Sequence, residues 1–286
     1  YISFFKEIYM NAKKNKAYLN WFIFTVLLTC ATFLTSFFPL WANVPINIIA
    51  PIVVLFVCKM VMFERLKLST LIIMRTLIVL VLFNLMNGDL FVKIVLIFLV
   101  INILEATFTD LLKNKQPYNF VTGLVLAASV FCLAGSWLPE YMGPLTGIYK
   151  AEAGVFGEGL FASKNVFMLG TVCWILAYTI WNWVFVIGEF SPSVALEHVG
   201  ILLMPLLGIC ITGTPGFWLV FRANSLTTGG VFQISCKKFV ENEFKHESMI
   251  KLCKKIKTSK VQCILMIVNL ILMAVPIIMF FTGKGF

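Results

Sequence analysis

Long apolar runs recur from one end of this chain to the other, and they constrain its fold more than any motif. A run of about 18 or more apolar residues reads as a bilayer span. In hydrocarbon such a run must be helical, because only a helix pairs its backbone groups within the segment. Spans are expected at 20–41, 44–63, 68–85, 90–109, 119–137, 165–187, 195–221 and 261–281. Composition agrees: 60% of residues are hydrophobic, 13% are charged and the mean hydropathy is +0.95, whereas soluble domains are about one quarter charged. The expected fold is therefore an all-α polytopic integral membrane protein, with 1–286 forming a single transmembrane domain of about eight hydrophobic helical segments.

The connections carry the charge. Residues 1–18 form an amphipathic lead with Lys6, Lys13, Lys14 and Lys16 against Glu7. The positive-inside rule puts this lead in the cytoplasm of a plasma or inner membrane, and no removable signal peptide is expected. Loops at Glu64–Lys67 and at 110–116 are short and lean basic. The stretch 138–163 is different: it is Gly- and Pro-rich, with Glu140, Glu152 and Glu158 against Lys150. It is expected to be an extracytoplasmic loop, as a lid over the bundle or a surface loop.

Residues 222–260 hold nine basic and three acidic residues. Met249, Leu252, Cys253 and Ile256 recur there at helical spacing, which predicts a cationic amphipathic helix at the interface. Its expected partners are anionic lipid headgroups; no nucleic-acid motif accompanies the net charge of +10. The segment 195–221 is interrupted by Pro205, Gly208, Gly213, Pro215 and Gly216. Eight full crossings from a cytoplasmic start would leave the basic 222–260 outside, so either 195–221 is broken or re-entrant and keeps that segment inside, or it crosses against the positive-inside rule.

Polar groups inside the apolar runs mark the candidate site. Trp174, Tyr178, Asn182 and Glu189 fall on one helical face, where an amide and a carboxylate beneath aromatic rings suit a polar organic group or a cation. Asn102 and Glu105 share another face, and intramembrane carboxylates commonly lie on ion or proton paths. Arg75 is a buried cation expected to pair with Glu105 or Glu189, or to receive an anionic substrate. Glu197 and His198 open the broken segment, and His198 is a candidate proton acceptor.

The eight cysteines are scattered, with no metal spacing and no C-x-x-C pair. No metal site is expected, and no signature of a protease, a serine hydrolase or a nucleotide-binding loop appears, so any cofactor stays unknown. The expected function is a transporter or channel-like permease for a small polar solute or cation. Ligand binding would fall to Trp174, Tyr178, Asn182, Glu189 and Arg75, and proton or ion coupling to Asn102, Glu105, Glu197 and His198. Two alternatives stand beside it: a membrane enzyme acting on a lipid or isoprenoid-like substrate, and a structural or regulatory subunit.

Overall fold

The structure is a computed structural model that describes residues 2–60, 62–83, 85–86, 88–130, 132, 168–213 and 215–283. The expected lid or surface loop at 138–163 lies outside the described residues. Every described element is a helix: α1 (Ile2–Phe37), a π turn (Pro45–Ile49), α2 (Ala50–Val57), α3 (Met62–Leu82), α4 (Gly88–Leu112), α5 (Pro117–Ser129), α6 (Met168–Glu189), α7 (Pro192–Thr212), α8 (Phe217–Ser235), α9 (Lys237–Glu243), α10 (Glu247–Ile256) and α11 (Ser259–Thr282). Five helices among the described residues are long and apolar enough to cross a membrane: 16–37 within α1, 93–112 within α4, and α6, α7 and α11. The chain is thus an all-α membrane protein.

The departures from the expected segments have local causes. The lead and the first span are one continuous helix, α1. The run 44–63 holds one short apolar helix, Pro45–Val57, in which a five-residue π turn passes directly into α2, with Pro45 in its first turn. A proline lacks the N–H that an interior helical position needs, so it belongs in a first turn. Helix α3 begins six residues before the expected 68, in the charged loop itself. Helix α11 runs without a break through Pro276.

The largest correction falls on 195–221. It is broken, but not into two half-helices. Helix α7 has 21 residues and ends at Gly213, which caps it in the left-handed conformation at φ 68°; only glycine adopts this region without steric cost. After the short connection through Pro215 and Gly216, α8 packs back along α7 and extends to Ser235. Gly208 and Gly229 permit the close approach: a Cβ on Gly208 would meet the Phe217 ring at 2.8 Å, and one on Gly229 would overlap Ile201.

The first part of the basic 222–260 segment is therefore not interfacial. Arg222, Asn224, Ser225 and Thr227 are buried in the bundle on α8. The amphipathic element is α10, and its apolar stripe also differs from the expected lipid-facing one. Met249, Cys253 and Ile256 are buried against the protein, where α10 lies over α6, α7 and α11. His246 caps α10 by accepting the Ser248 N–H at 3.1 Å, and its ring lies 4.2 Å from that of Tyr18.

One end of the bundle collects most of these basic groups. Lys16 pairs with Glu243 at 2.9 Å, Lys237 with Glu64 at 3.7 Å, and Lys113 with Glu189. Ser191 donates to Glu241 at 2.9 Å, while accepting the Val194 N–H as the N-cap of α7. Lys16 within α1, the starts of α3, α7 and α11, the ends of α4, α6 and α8, and the short helices α9 and α10 therefore share that end.

Candidate functional site

Helix α6 supplies the spine of the site. Trp174, Tyr178 and Asn182 follow one another four residues apart and are all buried. The Trp174 and Tyr178 rings stack at 5.5 Å, and Trp218 of α8 meets both edge-on at 5.8 and 5.1 Å. Such offset and edge-to-face pairs satisfy the ring quadrupoles and hold the rings in place. Trp174 donates its Nε1–H to Ser129 Oγ of α5 at 3.0 Å, which fixes the far end of the stack.

At the near end of the stack lies a cavity of about 70 Å3 enclosed by α3, α4, α6 and α8. That is room for several waters or a small organic group. Its polar wall is formed by Lys67, Asn102, Glu105, Asn182 and Arg222, and its aromatic wall by Tyr178, Trp181 and Trp218. Arg222 is 4% exposed. It donates through Nη2 to Asn182 Oδ1 at 3.2 Å, and its Cζ lies 5.6 Å from the Tyr178 ring centre. A guanidinium over an aromatic face is attracted by the ring's electrons, more strongly where water is excluded. The Nε and Nη1 atoms of Arg222 have no hydrogen-bond partner among the described residues.

The structure thus unites two expected groups, Tyr178–Asn182 on α6 and Asn102–Glu105 on α4, in one cavity. Other expected residues stand apart from it. Trp174 lies behind Tyr178 and braces it. Glu189 sits at the end of α6 against Lys113. Arg75 donates to Asn224 Oδ1 of α8. It belongs to a second buried network, in which Asn224 donates to Ser36 at 2.8 Å and Thr228 donates to Asn47 at 3.0 Å. Asn47 lies in the π turn, a feature frequent at functional sites.

Glu197 is fully buried on α7, and neither of its oxygens has a hydrogen-bond partner among the described residues. His198 lines a smaller cavity of about 40 Å3 together with Glu64, Lys67 and Gln233. Lys67, Leu71 and Leu226 belong to the walls of both cavities and stand between them. Lys67 lies within electrostatic reach of Arg222, Glu105 and Glu197, so ionisable groups from α3, α4, α7 and α8 converge on this region. Among the described residues no cluster of His, Cys, Asp and Glu could hold a metal ion.

Sequence reasoning missed Arg222, Lys67, Trp218 and Asn224. Arg222 and Lys67 stand at the margins of the apolar runs, where a charge reads as the end of a span. The available clue was that apolar residues continue past Arg222 through Leu226 and Val231 to Phe232.

Residues 10–284 match the family of unknown function DUF5692. The chain belongs to that family. No curated protein and no solved structure matches it. For this DUF5692 chain the chemistry of the cavity therefore carries the functional reading.

Proposed function

We propose that the protein is a permease for a small polar solute, which binds in the cavity between α3, α4, α6 and α8. The observation that carries the reading is the buried Arg222–Asn182 pair beside Glu105, deep in an apolar bundle. Charged groups there are expensive and persist where they bind or conduct something. Lys67, between the two cavities, is placed to gate passage toward the bundle end that holds His198 and Glu64. Glu105, Glu197 and His198 are the candidate coupling groups.

The same reading sets the topology. The bundle end that holds Lys16, α9 and α10 is the basic one, and the positive-inside rule makes it cytoplasmic. Helix α8 returns the chain to that end, so the basic segment need not lie outside. The lysines of α10 that face away from the protein then lie at the level of anionic headgroups.

The test is transport in proteoliposomes. A panel of small carboxylates, phosphate, amino acids and quaternary amines is presented, and charge displacement and radiolabel uptake are recorded. Saturable uptake of at least one solute, lost in Asn182→Ala, is expected. Absence of uptake across the whole panel in a well-folded preparation would favour a structural or regulatory role and sink the permease.

A further inference from the structure

We infer that the cavity receives an oxyanion, a carboxylate or phosphate group on a small molecule, and that Arg222 is its receptor. The inference rests on the permease reading and names the class of solute.

Three observations lead to it. First, Arg222 is buried and carries an unmet demand. A guanidinium stays charged at physiological pH and has no acceptor of its own. Nη2 is used by Asn182; Nε and Nη1, which hold most of the group's N–H donors, have no partner among the described residues. Leaving charged donors unmade in a low-dielectric interior is among the costliest arrangements a fold can hold. An oxyanion supplies the missing acceptors in the planar geometry that a guanidinium matches best.

Second, Arg222 does not satisfy itself with the carboxylate at hand. Glu105 lines the same cavity yet forms no ion pair with it. The two side chains thus share a cavity wall with no ion pair between them, and Arg222 keeps Nε and Nη1 without an acceptor among the described residues. Asn182 fixes the guanidinium from one side and the Tyr178 ring lies under it, so the arginine is held ready to bind rather than free to collapse onto a glutamate.

Third, Lys67 puts a second cation in the wall of the same cavity. Because it also lines the His198 cavity, it can follow an anion from one to the other. The aromatic wall of Tyr178, Trp181 and Trp218 suits the apolar body of such a solute, and the size of the cavity limits it to a few heavy atoms.

The experiment uses the full chain in phosphatidylcholine nanodiscs. Thermal unfolding is followed with acetate, succinate and inorganic phosphate as soluble probes, with choline and glycerol as cationic and neutral comparators, and with phosphatidylglycerol added to the discs as a lipid source of the same group. Expected is a dose-dependent rise in Tm with an anionic probe and none with choline or glycerol. Arg222→Gln should weaken the apparent affinity by about tenfold or more, and Arg222→Lys should restore it only in part.

If Arg222→Gln does not fold, Lys67→Gln, on the half-buried rim, serves in its place with the same expected direction. Equal anion response in wild type and in the arginine variants, or a response to choline alone, would overturn the inference. So would silence from every probe. Choline uptake in proteoliposomes that is lost in Asn182→Ala would keep the permease while removing the anion. Arg222-dependent binding of succinate, phosphate or phosphatidylglycerol without any uptake would keep the anion site while removing the permease. Response to phosphatidylglycerol alone assigns the oxyanion to a lipid headgroup.

Discussion

Arg75 of α3 and Asn224 of α8 are joined by a hydrogen bond inside the bundle, and Asn224 passes the link on to Ser36 of α1. One amide thus ties three helices around a buried charge. Replacing it with Leu removes the acceptor and leaves the charge. Asn224→Leu is expected to lower stability by about 2–3 kcal/mol, the usual cost of losing a hydrogen bond to a charged group. Unfolding by sodium dodecyl sulfate, followed by tryptophan fluorescence, measures it; a change below half of that range would remove Asn224 from the scaffold.

Glu189 is expected to be nearly silent in binding. Its partner Lys113 is about two-thirds exposed, and exposed ion pairs contribute at most about 1 kcal/mol. Glu189→Gln should leave the affinity for any transported solute within about twofold, whereas Asn182→Ala should abolish detectable binding. Parallel titrations in nanodiscs separate the two; a loss in Glu189→Gln would return the carboxylate to the site.

Gly123 of α5 fits where Trp181 and Thr107 converge. A Cβ there would lie 2.7 Å from Trp181 Nε1 and would overlap Thr107 Oγ1. Gly123→Ala must push α5 away from α4 and α6. Overpacking of this kind costs about 1–3 kcal/mol, and because Trp181 also lines the cavity, solute affinity should fall with Tm. Unchanged Tm and affinity would show that the helices move apart freely.

At Gly213 the backbone itself is the constraint. Gly213→Val puts a β-branched residue at φ 68°, costing about 1–2 kcal/mol. No Cβ contact blocks it, so the loss is purely conformational, and Gly213→Asn should recover part of it. Equal stability of all three proteins would refute the left-handed cap.

Cys253 reports on the docking of α10. Burial pushes its thiol above the ordinary range, an effect that Lys257 partly opposes. The thiolate reacts and the thiol does not, so at neutral pH a raised pKa and a buried sulfur both slow labelling. In a variant keeping only this cysteine, a water-soluble maleimide should react slowly at pH 7, and faster as pH rises. Met249→Asp, which loosens the buried stripe, should speed it markedly. Rapid labelling of the parent would show that α10 does not rest on the bundle.

What could be read in advance was what obeys helical periodicity. The four-residue spacing of Trp174, Tyr178 and Asn182 put them on one face whatever surrounded them, and Asn102 with Glu105 followed the same rule. Which helix would meet that face was not legible, because pairing between helices far apart in sequence leaves no periodic mark. Arg222 was hidden for a related reason. A charge beside an apolar run looks alike at a membrane surface and at the start of a second buried helix, and the partners that distinguish the two, Asn182 and Tyr178, lie about forty residues away. The break in 195–221 was visible from its glycines and prolines, but its result was not, since a hairpin and a re-entrant loop use the same residues.

Helix α8 buries Arg222, Asn224, Ser225 and Thr227 in the bundle and is absent from the five helices that could enter a bilayer on their apolar character. Arg222 lies in the second turn of α8; an arginine at the centre of a lone helix opposes membrane insertion by about 3 kcal/mol, and less toward an end, where it can snorkel. As the nascent chain leaves the ribosome, α8 therefore has to be drawn in by α7, to which a tight connection ties it, and kept there by α1 and α3, which are already made. A polypeptide stalled between Phe217 and Ser235 is expected to hold its charged segment at the insertion machinery, and substitutions in α1 or α3 that disturb Ser36 or Arg75 are expected to register first as reduced yield.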